Sequence, residues 1–165
     1  ILKDTWYLSL QHYGKWNLTD IAKFSTVEEF WYFYDNIPRL SLCFCTPDDS
    51  VKTKFKDPVN VIRAWVIYRA STTFSWECKA NVGMLVWHME LHPNIDTVWE
   101  ELILTTIGEA HWKDAECVQG IRIIDKSRKG SCIQRFEVWC SSYSKNIKQY
   151  IERQWKTAVT WKLLE

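Results

Sequence analysis

Apolar residues recur along the chain with a helical period in three stretches, and each stretch predicts a helix. The first predicted helix has the clearest start. It begins at a capping box, Ser25-Thr26-Val27-Glu28, in which Ser25 is the N-cap residue and Glu28 the N3 residue. We expect it to run to about Asn36, because Pro38 cannot continue a helix. At 3.6 residues per turn its apolar side chains fall on two faces, one with Phe30, Phe33 and Ile37 and the other with Val27, Trp31 and Tyr34.

Those two faces have different expected roles. One can pack on a core, which leaves the other as a candidate surface for a partner protein. The alternative is a single wide arc that is buried throughout. The pattern alone does not decide between them.

Two further helices follow from the same spacing. The second begins near Asn94 or Asp96 and ends at Gly108, a residue type common just past a helix C-terminus. The third begins near Ser144, and its apolar residues repeat at intervals of three and four: Ile147, Tyr150, Ile151 and Trp155.

Segments rich in β-branched and aromatic residues separate the helices and predict strands. They are Thr5–His12, Arg63–Arg69, Gly83–Leu91, Val118–Asp125, Cys132–Cys140 and Thr157–Leu163. Their order among the helices indicates an α+β fold, an antiparallel sheet with helices on one face. The stretch 43–62 has a turn-like, lysine-rich character and is predicted to be an excursion or insertion between a helix and a strand.

Length and composition narrow the class of protein. The 165 residues fit one domain over 1–165, and 47% hydrophobic with 25% charged residues is an ordinary globular balance. A net charge of +1 argues against polyanion binding through bulk charge, so any nucleic-acid contact must be local. Eleven tryptophans exceed structural need, which suggests that some of them are stacking surfaces.

Cysteine usage and the chain start bear on the compartment. The six cysteines are expected to be reduced structural thiols, with a disulfide or a metal site as alternatives. No apolar run is long enough for a membrane span, and no signal peptide stands at Ile1. The chain opens abruptly at Ile1, so we expect a fragment. The expected compartment is the cytoplasm, with the nucleus as an alternative.

Enzyme signatures are missing, whereas a binding constellation is present. We find no phosphate-binding glycine loop, zinc-protease motif or serine nucleophile motif, and the four histidines lie apart. We therefore expect neither an enzyme nor a bound metal or cofactor. By contrast, Trp76-Glu77 and Trp16 lie in predicted connections, where two indoles could sandwich a flat cationic ring beside an acceptor carboxylate.

A basic cluster stands near the turn at Gly130 and suits phosphate groups: Lys126, Arg128, Lys129 and Arg135. The alternatives are plain. Trp76 could be a hydrophobic plug under a loop, and the cations could decorate a solvated hairpin tip.

The sequence resembles the cap-binding translation initiation factor 4E family over nearly its whole length. The resemblance is carried by the block Lys23-Phe24-Ser25-Thr26-Val27-Glu28-Glu29-Phe30-Trp31, by Trp76-Glu77 with Trp87 following, and by Val98-Trp99-Glu100-Glu101-Leu102 through Ile107-Gly108-Glu109. It continues in Gly120 through Lys126, in Trp139 and in Tyr150-Ile151-Glu152-Arg153.

The resemblance implies a curved, mostly antiparallel sheet of eight strands with three helices on its convex face. It implies no enzyme activity and a site for the 7-methylguanosine cap of mRNA. The cap base would bind Trp16, Trp76, Glu77 and Trp139, and the cap phosphates would bind Lys126 and Arg135, with Arg128 and Lys129 as further candidates. A scaffold factor 4G-like protein or a 4E-binding protein would dock on Val27, Trp31, Glu101, Leu104 and Ile107.

Several departures from the family pattern stand out. The turn between Trp16 and Phe24 is two residues shorter than usual, and Glu100 occupies a normally apolar position on the partner surface. Val86 stands where the family often has a basic residue near the phosphates. Such changes resemble those of divergent protozoan members. A rival interpretation is a module with weak or no cap binding that acts through its partner surface, for example as a translational repressor.

Overall fold

The computed structural model describes residues 1–12, 14, 15, 17–44, 62–90, 94–127 and 131–164. Trp16, Arg128 and Lys129 lie outside these residues, as does most of the predicted excursion, residues 45–61.

The described chain forms one seven-stranded antiparallel sheet. Its strands are β1 (Trp6–His12), β2 (Leu18–Phe24), β3 (Ile62–Arg69), β4 (Gly83–Met89), β5 (Val118–Asp125), β6 (Gln134–Cys140) and β7 (Thr160–Leu163). They lie in the order β2-β1-β3-β5-β6-β4-β7. The α+β class and the antiparallel sheet are therefore confirmed. The expected number of eight strands is not matched, since the described residues hold seven.

Four α-helices and one short 3-10 helix accompany the sheet in the described residues, where three helices were expected. They are α1 (Val27–Tyr34), α2 (Leu40–Cys43), α3 (Ile95–Gly108) and α4 (Lys145–Trp155), with the 3-10 helix at Ala115–Cys117. The unexpected α2 is a single turn that buries Leu40 and Cys43, too short to leave a periodic pattern. No described helix has the length and hydropathy that a membrane span requires.

The capping box of α1 is present, but it lies one residue later than expected. Thr26 is the N-cap residue, and its hydroxyl accepts a hydrogen bond from the backbone N–H of Glu29 at 3.1 Å. The Glu29 carboxylate accepts in return from the N–H groups of Thr26, at 3.2 Å, and Ser25, at 2.7 Å. Ser25 and Glu28 are therefore not the capping pair.

The two faces expected on α1 are also redistributed. Phe30 and Tyr34 are buried, and their rings stack at a centroid distance of 5.1 Å. Val27 is exposed and Trp31 is partly buried. Tyr34 therefore belongs to the core, because residues four apart share a face.

The sheet has two different sides. On one side, residues such as Trp65, Ile67 and Phe136 pack with α1, α3 and α4 in the main core. On the opposite side, which we term the open face, a smaller cluster contains Val66, Tyr68, Phe74, Met84, Val86 and Trp139. Since neighbouring residues on a strand point to opposite sides, helices cover one side and leave the other for a site.

Arg69 ties the start of the chain to the end of α3. It is 6% exposed, pairs with Asp4, and lies 2.8 Å from the carboxylate of Glu109. Its guanidinium also donates to the backbone carbonyls of Val118 and Ala115, at 2.6 and 3.0 Å. A buried charge is tolerated here because its donors are well partnered.

The described cysteines form no crosslinks. Cys43, Cys78, Cys117, Cys132 and Cys140 are free thiols. Cys45 lies outside the described residues.

Candidate functional site

A cleft of about 360 Å³ opens on the open face of the sheet. Five residues predicted to form the site line it together: Trp76, Glu77, Lys126, Arg135 and Trp139. Their sequence separations are large, so the fold and not local spacing brings them together. Trp16 lies outside the described residues, although its neighbours Asn17 and Leu18 line the cleft.

Trp76 forms the exposed aromatic wall of the cleft. It lies in the connection between β3 and β4 and is 47% exposed, unusual for an indole of this size. The buried side chain of Asn81 holds this connection, donating to the backbone carbonyls of Thr73 and Ser75 at 3.0 and 2.9 Å. Exposure of Trp76 therefore comes from a fixed turn, and the adjacent Glu77 is exposed beside it.

Trp139 forms the floor next to this wall. It is 1% exposed, its ring centre lies 4.2 Å from that of Phe74, and it meets the Trp76 ring at 5.4 Å and 71°. Its indole N–H donates to the carboxylate of Glu137 at 2.8 Å. Trp139 is thus a fixed packing surface, while Trp76 offers an open ring face.

Glu137 is the central charge of the cleft floor. It is fully buried on β6, where it faces Arg122 of β5 and is flanked on its own strand by Arg135. Its Oε1 lies 2.8 Å from the guanidinium of Arg135 and accepts from Arg122 at 3.3 Å. The Nε of Arg122 also lies 2.9 Å from Oε2, as a charge contact without hydrogen-bond direction.

Arg122 also contacts the aromatic floor. Its guanidinium lies 5.8 Å from the ring centre of Trp139, within range of a cation–π contact. Burial lowers the pKa of Arg122, and the charge of Glu137 opposes that effect. One carboxylate therefore fixes two arginines and one indole, which leaves the floor rigid.

Our prediction from the sequence missed Arg122, Glu137, Phe74 and Arg63, which also belong to this site. One signal was available: Arg135, Glu137 and Trp139 alternate along one strand and must share a face. A charged residue that lies between two candidate site residues on one strand face, as Glu137 does, indicates a further site residue.

Several cationic side chains lie close together at one end of the cleft, which we term its basic end: Arg63, Lys126 and Arg135. Burial lowers the pKa of Lys126, and the nearby charges of Arg63 and Arg135 lower it further. A bound anion would relieve this repulsion, because it favours the protonated lysine. The basic cluster is therefore suited to phosphate groups. Arg128 and Lys129 lie outside the described residues.

The predicted partner surface is partly accessible. Val27 and Leu104 are 40% and 39% exposed, Glu101 is exposed and Trp31 is partly buried. Ile107 is 3% exposed and belongs to the core, so it offers little surface to a partner.

Glu100, which the resemblance placed on the partner surface, has a partner within the chain. Its carboxylate pairs with Arg39, whose guanidinium also lies 5.2 Å from the ring centre of Tyr34. The Glu100 carboxylate is therefore held in an ion pair within the chain.

Comparison with known sequences identifies the family. The model of the family described as Eukaryotic initiation factor 4E matches residues 2–163. Eukaryotic translation initiation factor 4E-1 of Caenorhabditis elegans is 26% identical over 145 residues, which is 87% of this chain and 63% of the relative. Eukaryotic translation initiation factor 4E of Saccharomyces cerevisiae is 28% identical over 132 residues, 78% of this chain and 52% of the relative.

The chain thus spans between about half and two thirds of the length of these relatives. Solved structures share its fold. Ascaris suum eIF4E-3 in complex with the m7G cap has a TM-score of 0.75 at 17% identity, covering 99% of this chain and 91% of that one. Schistosome eIF4E complexed with m7GpppG and 4E-BP has a TM-score of 0.73 at 19% identity, covering 98% and 87%. The chain therefore belongs to the eukaryotic initiation factor 4E family.

Proposed function

We propose that this protein binds the 7-methylguanosine cap of mRNA and acts in translation initiation in the cytoplasm. The observation that carries the proposal is the arrangement of the cleft. An exposed indole, Trp76, stands beside an exposed carboxylate, Glu77, and the basic side chains Lys126 and Arg135 line the same cavity. Two proteins with the same fold, Ascaris suum eIF4E-3 in complex with the m7G cap and schistosome eIF4E complexed with m7GpppG, support it.

The base would bind against Trp76. Methylation at N7 makes guanine cationic, and a cation over an indole face gains roughly 0.5–2 kcal/mol depending on desolvation. Glu77 would accept hydrogen bonds from the N–H donors on the guanine edge. The second stacking ring would be Trp16, and the exposure of Asn17 and partial burial of Leu18 at the cleft support that role.

Trp139 would support the base without stacking on it. Its buried ring is held by Phe74 and Glu137, so it can offer a fixed edge or face to the N7-methyl group. The phosphates would extend along β6 toward Lys126 and Arg135. From Trp139 to Arg135 the distance along the strand is about 13 Å at about 3.3 Å per residue.

On the helical side, the chain would recruit a scaffold factor 4G-like protein or a 4E-binding protein through Val27, Trp31, Glu101 and Leu104. The exposed apolar side chains of Val27 and Leu104 support a helical peptide in a groove. The Leu104→Asp variant should lose a 4E-binding-protein peptide and keep the cap, and unchanged peptide binding would contradict this surface.

A second candidate function is a module with weak or no cap binding that works through the partner surface. Val86 favours it, since this 2% exposed apolar residue stands near Glu137 at the phosphate end, where a basic residue would add affinity. A measurement of cap affinity distinguishes the two functions, because the first requires cap binding and the second does not.

Titration of the tryptophan fluorescence with 7-methyl-GTP, with GTP as the control, tests the proposal. We expect strong quenching by the methylated ligand and little by GTP, because only the methylated base is cationic. Quenching by neither ligand would favour the module without cap binding. Equal quenching by both would mean that phosphates dominate and that the base site is wrong.

Calorimetry on variants then tests the residues. Trp76→Ala should cost about 1–3 kcal/mol of cap affinity, the usual range for one base–aromatic stack. Trp16→Ala should cost a similar amount. Tyr32→Ala, which removes a 69% exposed ring from α1 on the helical side, is the matched control and should bind like the parent.

A further inference from the structure

A second cavity of about 590 Å³ adjoins the cleft at its basic end. It shares Arg63, Lys126 and Arg135 with the cleft and adds new residues from β4 and β7, namely His88 and Lys162. We term it the basic cavity.

The basic cavity lies beyond the phosphate end of the cleft when the sheet is followed in strand order. Arg135 of β6 pairs directly with His88 of β4, and β7 is the next strand after β4. A ligand that runs from Trp139 to Arg135 along β6 can therefore continue sideways onto His88. The backbone of Lys162 pairs with Met84, level with Trp139, but Lys162 lines the same cavity as His88. The described residues thus form a continuous path from the aromatic wall to the sheet edge.

Its charge favours an anion. Four cationic side chains line the basic cavity, Arg63, Lys126, Arg135 and Lys162, against one carboxylate among the described lining residues, Asp125. Asp125 is 2% exposed, and its Oδ1 accepts from the backbone N–H of Ser127 at 2.9 Å. The one negative group is therefore turned toward the fold and offers little to a ligand.

The cations act on one another, which supports the same conclusion. Burial lowers the pKa of His88, and the charges of Arg135, Lys162 and Lys126 lower it further. His88 and Lys162 are themselves exposed. Glu137 offsets part of this charge through its ion pair with Arg135, and an incoming phosphate would meet the net positive field that is left, at a solvent-accessible position.

Resting on the proposed cap binding, we propose that the basic cavity binds the phosphodiester backbone of the RNA nucleotides that directly follow the cap. Phosphodiesters are covalently continuous with the cap phosphates, so they would arrive in the basic cavity without a separate encounter. The hydroxyl of Ser131 in its lining can donate to phosphate oxygens, and that of Ser127 could do so by leaving the carbonyl of Ile133, to which it donates at 3.5 Å. An acidic peptide would share the charge but not the link to the cleft.

The test compares 7-methyl-GTP with a capped RNA of about five nucleotides, a length within the site sizes of single-strand binders. The parent should bind the capped RNA about fivefold or more tightly than 7-methyl-GTP, on the scale of one or two exposed charge contacts. Lys162→Ala should lose about threefold of that gain and leave 7-methyl-GTP binding unchanged. Lys162→Glu, which reverses the charge, should lose more.

Salt dependence and a matched control make the test specific. For the capped RNA, the slope of log affinity against log salt should fall by about 0.7 in Lys162→Ala, the value for one lost phosphate contact to a single strand. Lys145→Ala removes another exposed lysine, from α4 on the helical side, and should behave like the parent. An uncapped RNA of the same sequence should bind more weakly than the capped one.

Each contrary result has a distinct meaning. If the parent binds 7-methyl-GTP but gains nothing from the RNA, this inference is wrong and the proposed function stands. If Lys162→Ala weakens both ligands equally, the basic cavity holds the phosphates of the cap itself, which also overturns it. Poly-glutamate and uncapped RNA can be compared as competitors at the same concentration of charge. If poly-glutamate abolishes the RNA-dependent gain as well as uncapped RNA does, the basic cavity is an unspecific anion site and this inference is wrong. If 7-methyl-GTP does not bind at all, both proposals fail.

Discussion

The indole N–H of Trp139 donates to the carboxylate of Glu137, which lies two residues earlier on the same face of β6, at 2.8 Å. The same carboxylate also faces Arg122 and Arg135, so three site residues depend on one buried charge. Since an ionised carboxylate in a buried position is stable only when well partnered, the four side chains form a single unit. The floor of the cleft is therefore set before any ligand binds.

Glu137→Gln should destabilise the protein strongly. The amide keeps the shape of the side chain but removes its charge, leaving two partly buried arginines without a counter-ion. Breaking a buried ion pair in this way costs about 3–5 kcal/mol. Urea denaturation followed by circular dichroism measures the loss. Glu90→Gln, the same change at an exposed residue, should shift the midpoint very little, and an equal shift in both variants would contradict the role of Glu137.

Stability should fall in acid partly through Glu109. Burial alone would raise its pKa, but hydrogen bonds from Arg69 and Lys3 outweigh burial and hold the pKa below the usual 4.5. A depressed native pKa stabilises the fold above the unfolded value and loses that stabilisation as the pH falls through the native one. The free energy of unfolding should therefore decline as the pH drops below about 4.5.

The Glu109→Gln variant isolates this contribution. It should be less stable than the parent at neutral pH and should show a shallower decline in acid. Parallel pH profiles for the two proteins would mean that other carboxylates carry the acid sensitivity.

Gly83→Ala should weaken the attachment of β7. A Cβ at Gly83 would meet the Trp161 ring at 2.3 Å and the carbonyl of Lys162 at 2.7 Å, contacts that require the edge strand to shift. Overpacking of this kind costs about 1–3 kcal/mol. Gly108→Ala at the end of α3 is the opposite case, since nothing lies within 4 Å of its Cβ position, and it should gain a few tenths to about 1 kcal/mol. Thermal unfolding of both variants checks the sign of each change.

Asn81→Ala should weaken 7-methyl-GTP binding although Asn81 itself does not line the cleft. Its side chain amide holds the carbonyls of Thr73 and Ser75, and loss of these bonds frees the connection that carries Trp76. We expect a drop of about three- to tenfold in affinity, on the scale of about 1 kcal/mol for a lost hydrogen bond.

Calorimetry on Asn36→Ala supplies the comparison. Asn36 donates a side-chain bond to the carbonyl of Tyr32 at 2.5 Å on the helical side. Its removal should leave the affinity unchanged. A loss of affinity in this variant equal to that in Asn81→Ala would point to general loosening of the fold.

The elements that could be predicted from the sequence are those with a long periodic segment and a clear start or end signal, such as α3 and α4. β2 could not, because it is an edge strand whose residues are mostly exposed, with Ala22 and Phe24 as its buried positions. An edge strand needs no second apolar face, so it leaves a weak pattern. The shift of the α1 cap has a local cause, since Ser25 and Thr26 are both good cap residues and each has a glutamate three residues later, Glu28 and Glu29.

The same contrast holds for the site. Trp76 was predicted because a large indole in a connection is unusual, and Glu77 because it is the carboxylate beside that ring and matches the family pattern. Glu137 was missed although it lies between Arg135 and Trp139 on one strand face, whereas Arg122 has meaning only once the register of β5 and β6 places it opposite Glu137. Long-range pairing of this kind is absent from local sequence patterns.

The open ring of the cleft and its cations belong to different kinds of structure: Trp76 lies on a connection, whereas Arg135 lies within a strand. The consequence concerns the rates of binding. Long-range attraction by the cations acts on approach, so added salt should slow association. Contact with the Trp76 ring acts only after arrival, so its loss should mainly speed dissociation. Salt and Trp76 should thus control the two rate constants separately.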